Sequence, residues 1–124
     1  MEFRDNKAIY LQIAEYVCEN ILLGKWKADK KVPSVRELAV EMEVNPNTVM
    51  RTYELLQNKN IINNKRGIGF FITDDATAQI KNYRKAIFME DELPVVFRNV
   101  YLLNIGFDEL EQKYHTFVKE NFNA

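Results

Sequence analysis

Between Ala8 and Leu23 the apolar residues Ile9, Ile13, Val17 and Ile21 recur every fourth position, with Tyr10 and Ala14 beside them. That period predicts an amphipathic helix. Gly24 closes it as the residue after the cap, where a left-handed backbone is cheap. Lys25 to Pro33 is too polar and too short for another helix. In it Trp26 reads as an apolar plug, and the lysines read either as a solvated edge or as an approach to phosphate. Ser34 with Glu37 makes a capping box, and Val35, Leu38, Ala39 and Met42 supply the apolar stripe of a short second helix ending by Glu43 and Val44. About three residues later a third helix starts. Asn45 suits its N-cap and Pro46 its first turn, and Val49, Tyr53 and Leu56 form its inner face down to about Lys59. Asn60 suits the left-handed position that ends it.

So short a link makes the second and third helices cross steeply, which is a helix-turn-helix arrangement. Ile61 to Asn64 and Phe70 to Thr73 are β-prone and enclose Lys65-Arg66-Gly67-Ile68-Gly69, a hairpin with a basic tip. Three helices followed by a hairpin make a winged helix-turn-helix. Gly67 and Gly69 do not have the spacing of a phosphate-binding loop. The outer face of the third helix carries Asn47, Thr48 and Arg51. Such residues at a helix start suit phosphate and base-edge contact, with free amides there expected to meet phosphate.

Beyond the polar hinge Thr73 to Ala76, where Asp74 or Asp75 is expected to cap the next helix, the period returns three times. Ile80, Tyr83, Ile87 and Phe88 mark one helix. Leu93, Val96, Phe97, Val100 and Tyr101 mark a second. Leu110, Tyr114, Phe117 and Val118 mark a third, with Asp108 as its expected N-cap. So short a tail buries a poor share of its own surface. Its apolar faces are expected either to pack back on the winged domain or to pair with a second copy. The expected fold class is α+β, mostly α, with a winged helix-turn-helix over residues 1–73 and a helical dimerisation tail over 74–124.

Composition narrows the function. Of 124 residues, 47% are hydrophobic and 28% charged, the balance of a globular chain. No apolar run reaches the length of a membrane helix and the first residues hold no apolar signal core, so the expected location is the cytoplasm with no membrane partner. One cysteine, Cys18, and one histidine, His115, provide neither a disulfide framework nor a Cys/His metal site, and no cofactor or metal is expected. Cys18 falls in a helical apolar pattern as a small buried thiol. His115 reads as a surface or interface residue. No base lies near a nucleophile, so an enzyme is not expected. The net charge of −1 argues on its face against nucleic acid, yet it is unevenly placed. Residues 1–72 hold 11 Lys+Arg against 9 Asp+Glu, and residues 73–124 hold 6 against 9. Phosphate binding depends on the local patch rather than the total.

The run Ile9-Tyr10-Leu11-Gln12-Ile13, then Val32-Pro33-Ser34-Val35-Arg36-Glu37-Leu38-Ala39, then Val44-Asn45-Pro46-Asn47-Thr48-Val49 and Gly67-Ile68-Gly69-Phe70-Phe71 resembles the DNA-binding domain of GntR-family transcriptional regulators over about residues 8 to 72. The Asn-Pro-Asn and the short tail look like the YtrA subfamily, whose members carry a helical dimerisation segment instead of a large ligand-binding domain. The resemblance implies that Arg36 enters the major groove, where a guanidinium can bond both acceptors of guanine. Its competing role is a salt bridge with Glu37 or Glu41. Asn47 and Thr48 match positions that touch phosphate or base edges, beside Asn45 at the helix head. Arg51 and Lys65 would hold phosphate, Ser34 would both cap and reach a phosphate, and Arg66 and Gly67 match a wing tip that reaches the minor groove.

Pro46 stands where many members have arginine, Met50 where others have a basic residue, and Asn60 where glycine is usual. The partners implied are double-stranded operator DNA and a second copy of the chain meeting through Ile80, Tyr83, Ile87, Phe88, Val96, Phe97, Val100, Tyr101, Leu110, Tyr114 and Phe117. The symmetric dimer would face a palindromic site, most simply as a repressor, with any small-molecule effector left open. The competing reading is a winged helix used as a protein-interaction module.

Overall fold

In the computed structural model, which describes residues 2–4 and 6–122, the helical periods become α1 (Ile9–Leu22), α2 (Val35–Met42) and α3 (Pro46–Asn58). The hairpin strands β1 (Ile62–Lys65) and β2 (Gly69–Ile72) follow, then α4 (Ala76–Ile87), a π turn (Phe88–Glu92), α5 (Leu93–Leu102) and α6 (Phe107–Asn121). The chain divides into two compact units, Met1–Arg84 and Lys85–Ala124.

In the first unit local chemistry sets the helix ends. α1 stops with the Lys25 amide on the Asn20 carbonyl at 2.9 Å and the Gly24 amide on the Ile21 carbonyl at 3.1 Å, Gly24 taking φ +77°. This paired closure satisfies carbonyls that a helix end leaves bare. α2 opens on the expected capping box, with the Glu37 amide donating to Ser34 Oγ at 3.1 Å and the Ser34 amide donating to Glu37 Oε1 at 2.9 Å. These bonds from Ser34 hold the Glu37 carboxyl below its usual range. α2 ends where Glu43 turns left-handed at φ +57°. A non-glycine residue there costs about 1 kcal/mol, and the abrupt turn into Asn45 is what requires it.

Ile13, Val17, Leu38, Val49, Tyr53, Leu56, Ile61 and Ile80 are fully buried in one core shared by α1, α2, α3, the hairpin and α4. Tyr53 spans it, its hydroxyl donating to the Pro33 carbonyl at 2.6 Å and its ring meeting Phe70 edge-on at 5.1 Å between centroids. Burial pushes the Tyr53 phenol well above its ordinary pKa. Cys18 lies in the same core as expected, and desolvation raises its thiol to about 11. Since the thiolate is the nucleophile, native protein at pH 8 is expected to react with Ellman's reagent only at its unfolding rate. Prompt stoichiometric labelling would contradict this burial.

Two polar residues are buried, each with hydrogen-bond partners. Gln12 donates to the carbonyls of Arg4 at 2.7 Å and Lys7 at 2.8 Å and accepts from the Arg4 amide at 2.7 Å, which pins the segment ahead of α1. Thr52 donates to the Tyr10 carbonyl at 2.7 Å, joining α3 to α1. The connection read as a polar loop does more than link helices. Asp29 and Val32 amides donate to the Ile72 and Phe70 carbonyls at 3.0 and 2.9 Å, and the Ile72 amide donates to the Lys30 carbonyl at 3.0 Å. β2 thus has a partner on each edge, with β1 in the register Ile62 to Ile72 and Lys65 to Gly69 on the other side.

The second unit is thinly packed. Among its described residues only Val100 is buried, while Leu93, Ile105, Leu110 and Val118 are half-buried. α5 ends with the Ile105 amide on the Val100 carbonyl at 3.0 Å and Asn104 at φ +54°. Gly106, not Asp108, holds the N-cap position of α6. Asp108 falls instead in the first turn, where its charge still complements the exposed amides. Phe97 and Phe107 meet edge-on at 6.2 Å and Phe117 and Phe122 at 6.1 Å, contacts that leave most of these rings in solvent.

Candidate nucleic-acid interface

The head of α3 differs from expectation in one respect that changes its chemistry. Asn45 caps as expected, its Oδ1 accepting the Asn47 amide at 2.8 Å. Pro46 has no amide proton, and the Thr48 amide donates to the Asn45 carbonyl at 2.9 Å. The first three helical positions therefore offer no free N–H, and the expectation that main-chain amides here would meet phosphate is corrected. Any contact from this end must come from side chains. Asn47 and Met50 are exposed and Thr48 is half-buried, its carbonyl also accepting from the Thr52 hydroxyl at 3.2 Å.

Arg51 is exposed and its guanidinium stacks 3.9 Å over the Tyr10 ring on α1. Stacking fixes the plane of the cation without using its donors. Arg36 lies in the first turn of α2, exposed, and among the described residues it makes no ion pair, so the salt bridge with Glu37 or Glu41 is not formed. Ser34 Oγ is used as an acceptor in the capping box, which leaves its proton available as a donor.

The wing turns through Arg66, Gly67 and Ile68, with the Ile68 amide on the Lys65 carbonyl at 2.9 Å and Gly67 at φ +79°. No side chain would fit that backbone without strain. Lys65 Nζ lies 4.3 Å from the centre of the Phe71 ring, and Lys65, Arg66 and Ile68 are all exposed. Gly69, at φ +135°, has Lys31 against it: a Cβ there would come within 2.7 Å of Lys31 Cε. The sequence offered no period to reveal that the connection lies against the wing, although the β-branched Val32 beside Pro33 is compatible with an edge.

The residues grouped for dimerisation separate in the structure. Ile80 is fully buried in the core of the first unit, so it is a core residue and not part of a surface that meets a partner. Tyr83 is half-buried against that core, with Lys59 Nζ 5.5 Å from its ring. In the second unit Phe88, Val96, Phe97, Tyr101, Tyr114 and Phe117 are exposed, Tyr101 by 82%. Ile87 and Leu110 are half-buried and Val100 is 9% exposed. His115 is exposed, with Glu111 3.6 Å from its Nε2. Among the described residues no group of three acidic, histidine or cysteine side chains is placed to hold a metal, and no helix is long and apolar enough to cross a membrane.

The sequence pattern of the gntR family of bacterial regulatory proteins matches residues 9–72. The chain is 34% identical over 117 residues to the HTH-type transcriptional repressor YtrA of Bacillus subtilis, covering 94% of this chain and 86% of YtrA. It is 40% identical over 75 residues to the transcriptional regulator YhcF of the same organism, a match that spans 60% of this chain and 62% of YhcF. The crystal structure of a GntR-family protein from Bacteroides thetaiotaomicron superposes with a TM-score of 0.78 at 47% identity, covering 91% of this chain and 98% of that one. The DNA-binding domain of AraR, crystallised with operator ORR3, matches 59% of this chain and 86% of its own with a TM-score of 0.53 at 26% identity. This chain therefore belongs to the gntR family, on its YtrA-like branch, and is a DNA-binding transcriptional regulator rather than an enzyme.

Proposed function

We propose that the protein is a repressor that occupies a palindromic operator as a homodimer, reading DNA through residues 1–73 and pairing through residues 74–124. The observation that carries the reading is the set of exposed side chains Arg36, Asn47, Arg51 and Arg66 on α2, α3 and the wing of one compact unit, whose three cations make no ion pair among the described residues. Unpaired surface cations suit a phosphate lattice, whose counterions they release. Support for the DNA partner comes from the AraR domain bound to its operator, and support for repression from the likeness to YtrA. The aromatic side chains left in solvent on α5 and α6 support pairing with a second copy, since exposed apolar patches of that kind mark interaction sites.

In this reading Ser34 and Thr48 donate to phosphate, Arg51 holds phosphate from its stacked position, Arg36 bonds a guanine edge, and Arg66 enters the minor groove with Gly67 permitting close approach. Asn47, with Pro46 beside it in place of an arginine, contributes an amide that pairs with adenine. Asn45 is committed to its cap and acts by positioning Asn47. Met50 offers an apolar contact such as a thymine methyl.

Selection of bound duplexes from a random library, followed by affinity for the winner at two salt concentrations, tests the reading. An enriched inverted repeat bound with steep salt dependence supports it, and absence of enrichment refutes it. On the selected site Arg36→Ala is expected to cost about 1 to 3 kcal/mol and to blur preference at one base step. Arg51→Ala is expected to weaken all sequences alike and to reduce the salt slope by about 1. Anisotropy titrations on the site and its single-base variants separate the two behaviours. Unchanged preference in Arg36→Ala would remove the direct-readout role.

A further inference from the structure

Outside the helix-turn-helix face, the link between α1 and α2 forms an open groove of about 550 Å³. Four lysines, Lys25, Lys27, Lys30 and Lys31, line it together with Trp26 and Glu37. All four lysines are exposed, and none makes an ion pair among the described residues. Glu37, which lines the same groove, accepts from the Ser34 amide in the capping box, and the Lys31 ammonium also favours its charged carboxylate.

The lysines are also held in place. Asp29, Lys30 and Val32 bond to β2 through their main chains, Lys31 pairs with Phe71, and the Lys31 side chain lies against Gly69. Trp26 packs edge-on to Tyr16 at 6.0 Å, which anchors the other end of the run to α1. Phe71 is the junction: its backbone pairs with Lys31 and its ring carries the Lys65 ammonium. Lys31 of the link and Lys65 of the wing therefore meet at one residue of β2, and a surface that docks the wing brings Lys31 with it.

We infer that Lys25, Lys27, Lys30 and Lys31 form a second phosphate-binding rail, which engages the backbone of duplex DNA flanking the segment read by the wing. The inference rests on the operator reading above and extends its footprint. The rail carries no base-edge reader aimed at a groove, so it adds affinity without sequence preference. Each phosphate neutralised contributes about −0.9 to the slope of log affinity against log salt.

The test compares the full-length protein with the variant K25Q/K27Q/K30Q/K31Q on two duplexes, one ending at the selected operator and one extended by a further helical turn on each side. The wild type is expected to bind the extended duplex more tightly, and the variant to keep its affinity for the short duplex while losing that gain. With two rail contacts in each half-site, raising salt fourfold is expected to cost the wild type about tenfold more per half-site than the variant on the long duplex. A lysine-to-arginine set should restore the gain, since it keeps the charge. The inference fails if the wild type gains nothing from the flanks, if the variant gains as much, or if the variant loses equally on both duplexes. Wild type that bound neither duplex would overturn the operator reading along with it.

Discussion

Replacing Phe97 and Tyr101 together by aspartate is expected to convert the protein to a 14.6 kDa monomer and to lower its affinity for the full operator by about a hundredfold or more. Both side chains lie on α5, exposed by 47% and 82%, beside an apolar groove that also includes Val100, Ile105 and Phe107. In the single chain a charge at Tyr101 stays in solvent, and one at Phe97 gives up only the edge-on contact with Phe107. In a symmetric interface it meets its own copy across an apolar surface, where an unpaired carboxylate costs several kcal/mol. Loss of pairing removes the effective concentration that makes the second half-site contact nearly free. Sedimentation equilibrium at micromolar protein and anisotropy on full and half operators read the result. Half-site affinity should survive, since Phe97 and Tyr101 lie outside Met1–Arg84, the unit that holds the proposed DNA contacts. A variant that sediments like the wild type would show that the pairing surface lies elsewhere.

Ile80→Ala is expected to destabilise the winged domain by about 2 to 5 kcal/mol, enough to lower its melting temperature by about 10 °C or more. The side chain is completely buried on α4 among residues of the shared core, so truncation leaves a cavity that the surrounding helices fill only in part. At temperatures where the variant is folded its dimer dissociation constant should match the wild type. A dimerisation residue would behave in the opposite way, with a weakened dimer and a melting temperature altered only through mass action. Thermal denaturation at two protein concentrations, joined to sedimentation at 15 °C, separates these outcomes. A melting point within about 2 °C of the wild type would mean that Ile80 is not a core residue.

Ile80 also marks a limit of the sequence pattern. Its helical period with Tyr83, Ile87 and Phe88 identified an apolar face correctly, but a period states that a face is apolar and not what covers it. Ile80 and Tyr83 in its first half pack in and against the core of the first unit, and Phe88 at its far end is exposed. Trp26 shows the opposite case: its packing against Tyr16 followed from its being the one aromatic side chain in a polar run. The Asp108 cap failed for a local reason, because the extended conformation at Gly106 starts α6 two residues earlier.

Within the candidate interface, the cap of α2, the Asn45-Pro46 start of α3 and the glycine turn of the wing were legible because each is chemistry between near neighbours. The absence of free amides on α3 was implicit in the same residues. Asn45 cannot cap and also leave the Asn47 amide open, and Pro46 has none to offer. The stacking of Arg51 on Tyr10 was not legible, since the two residues lie 41 positions apart and meet only when α1 packs on α3.

By itself the sequence determined where α1, α2 and α3 begin and end, which faces are apolar, and the order of helices and hairpin, because periodicity, caps and turn residues act over a few positions. Tertiary structure alone decided that Asp29 to Val32 close the second edge of β2, that Gln12 and Thr52 are buried with partners, and that Ile80 belongs to the core. It also decided that four lysines of the link line one groove, with Lys31 bridged to the wing. Each of these depends on main-chain or side-chain groups distant in sequence meeting in space, and a backbone carbonyl carries no signature in the residue that bears it.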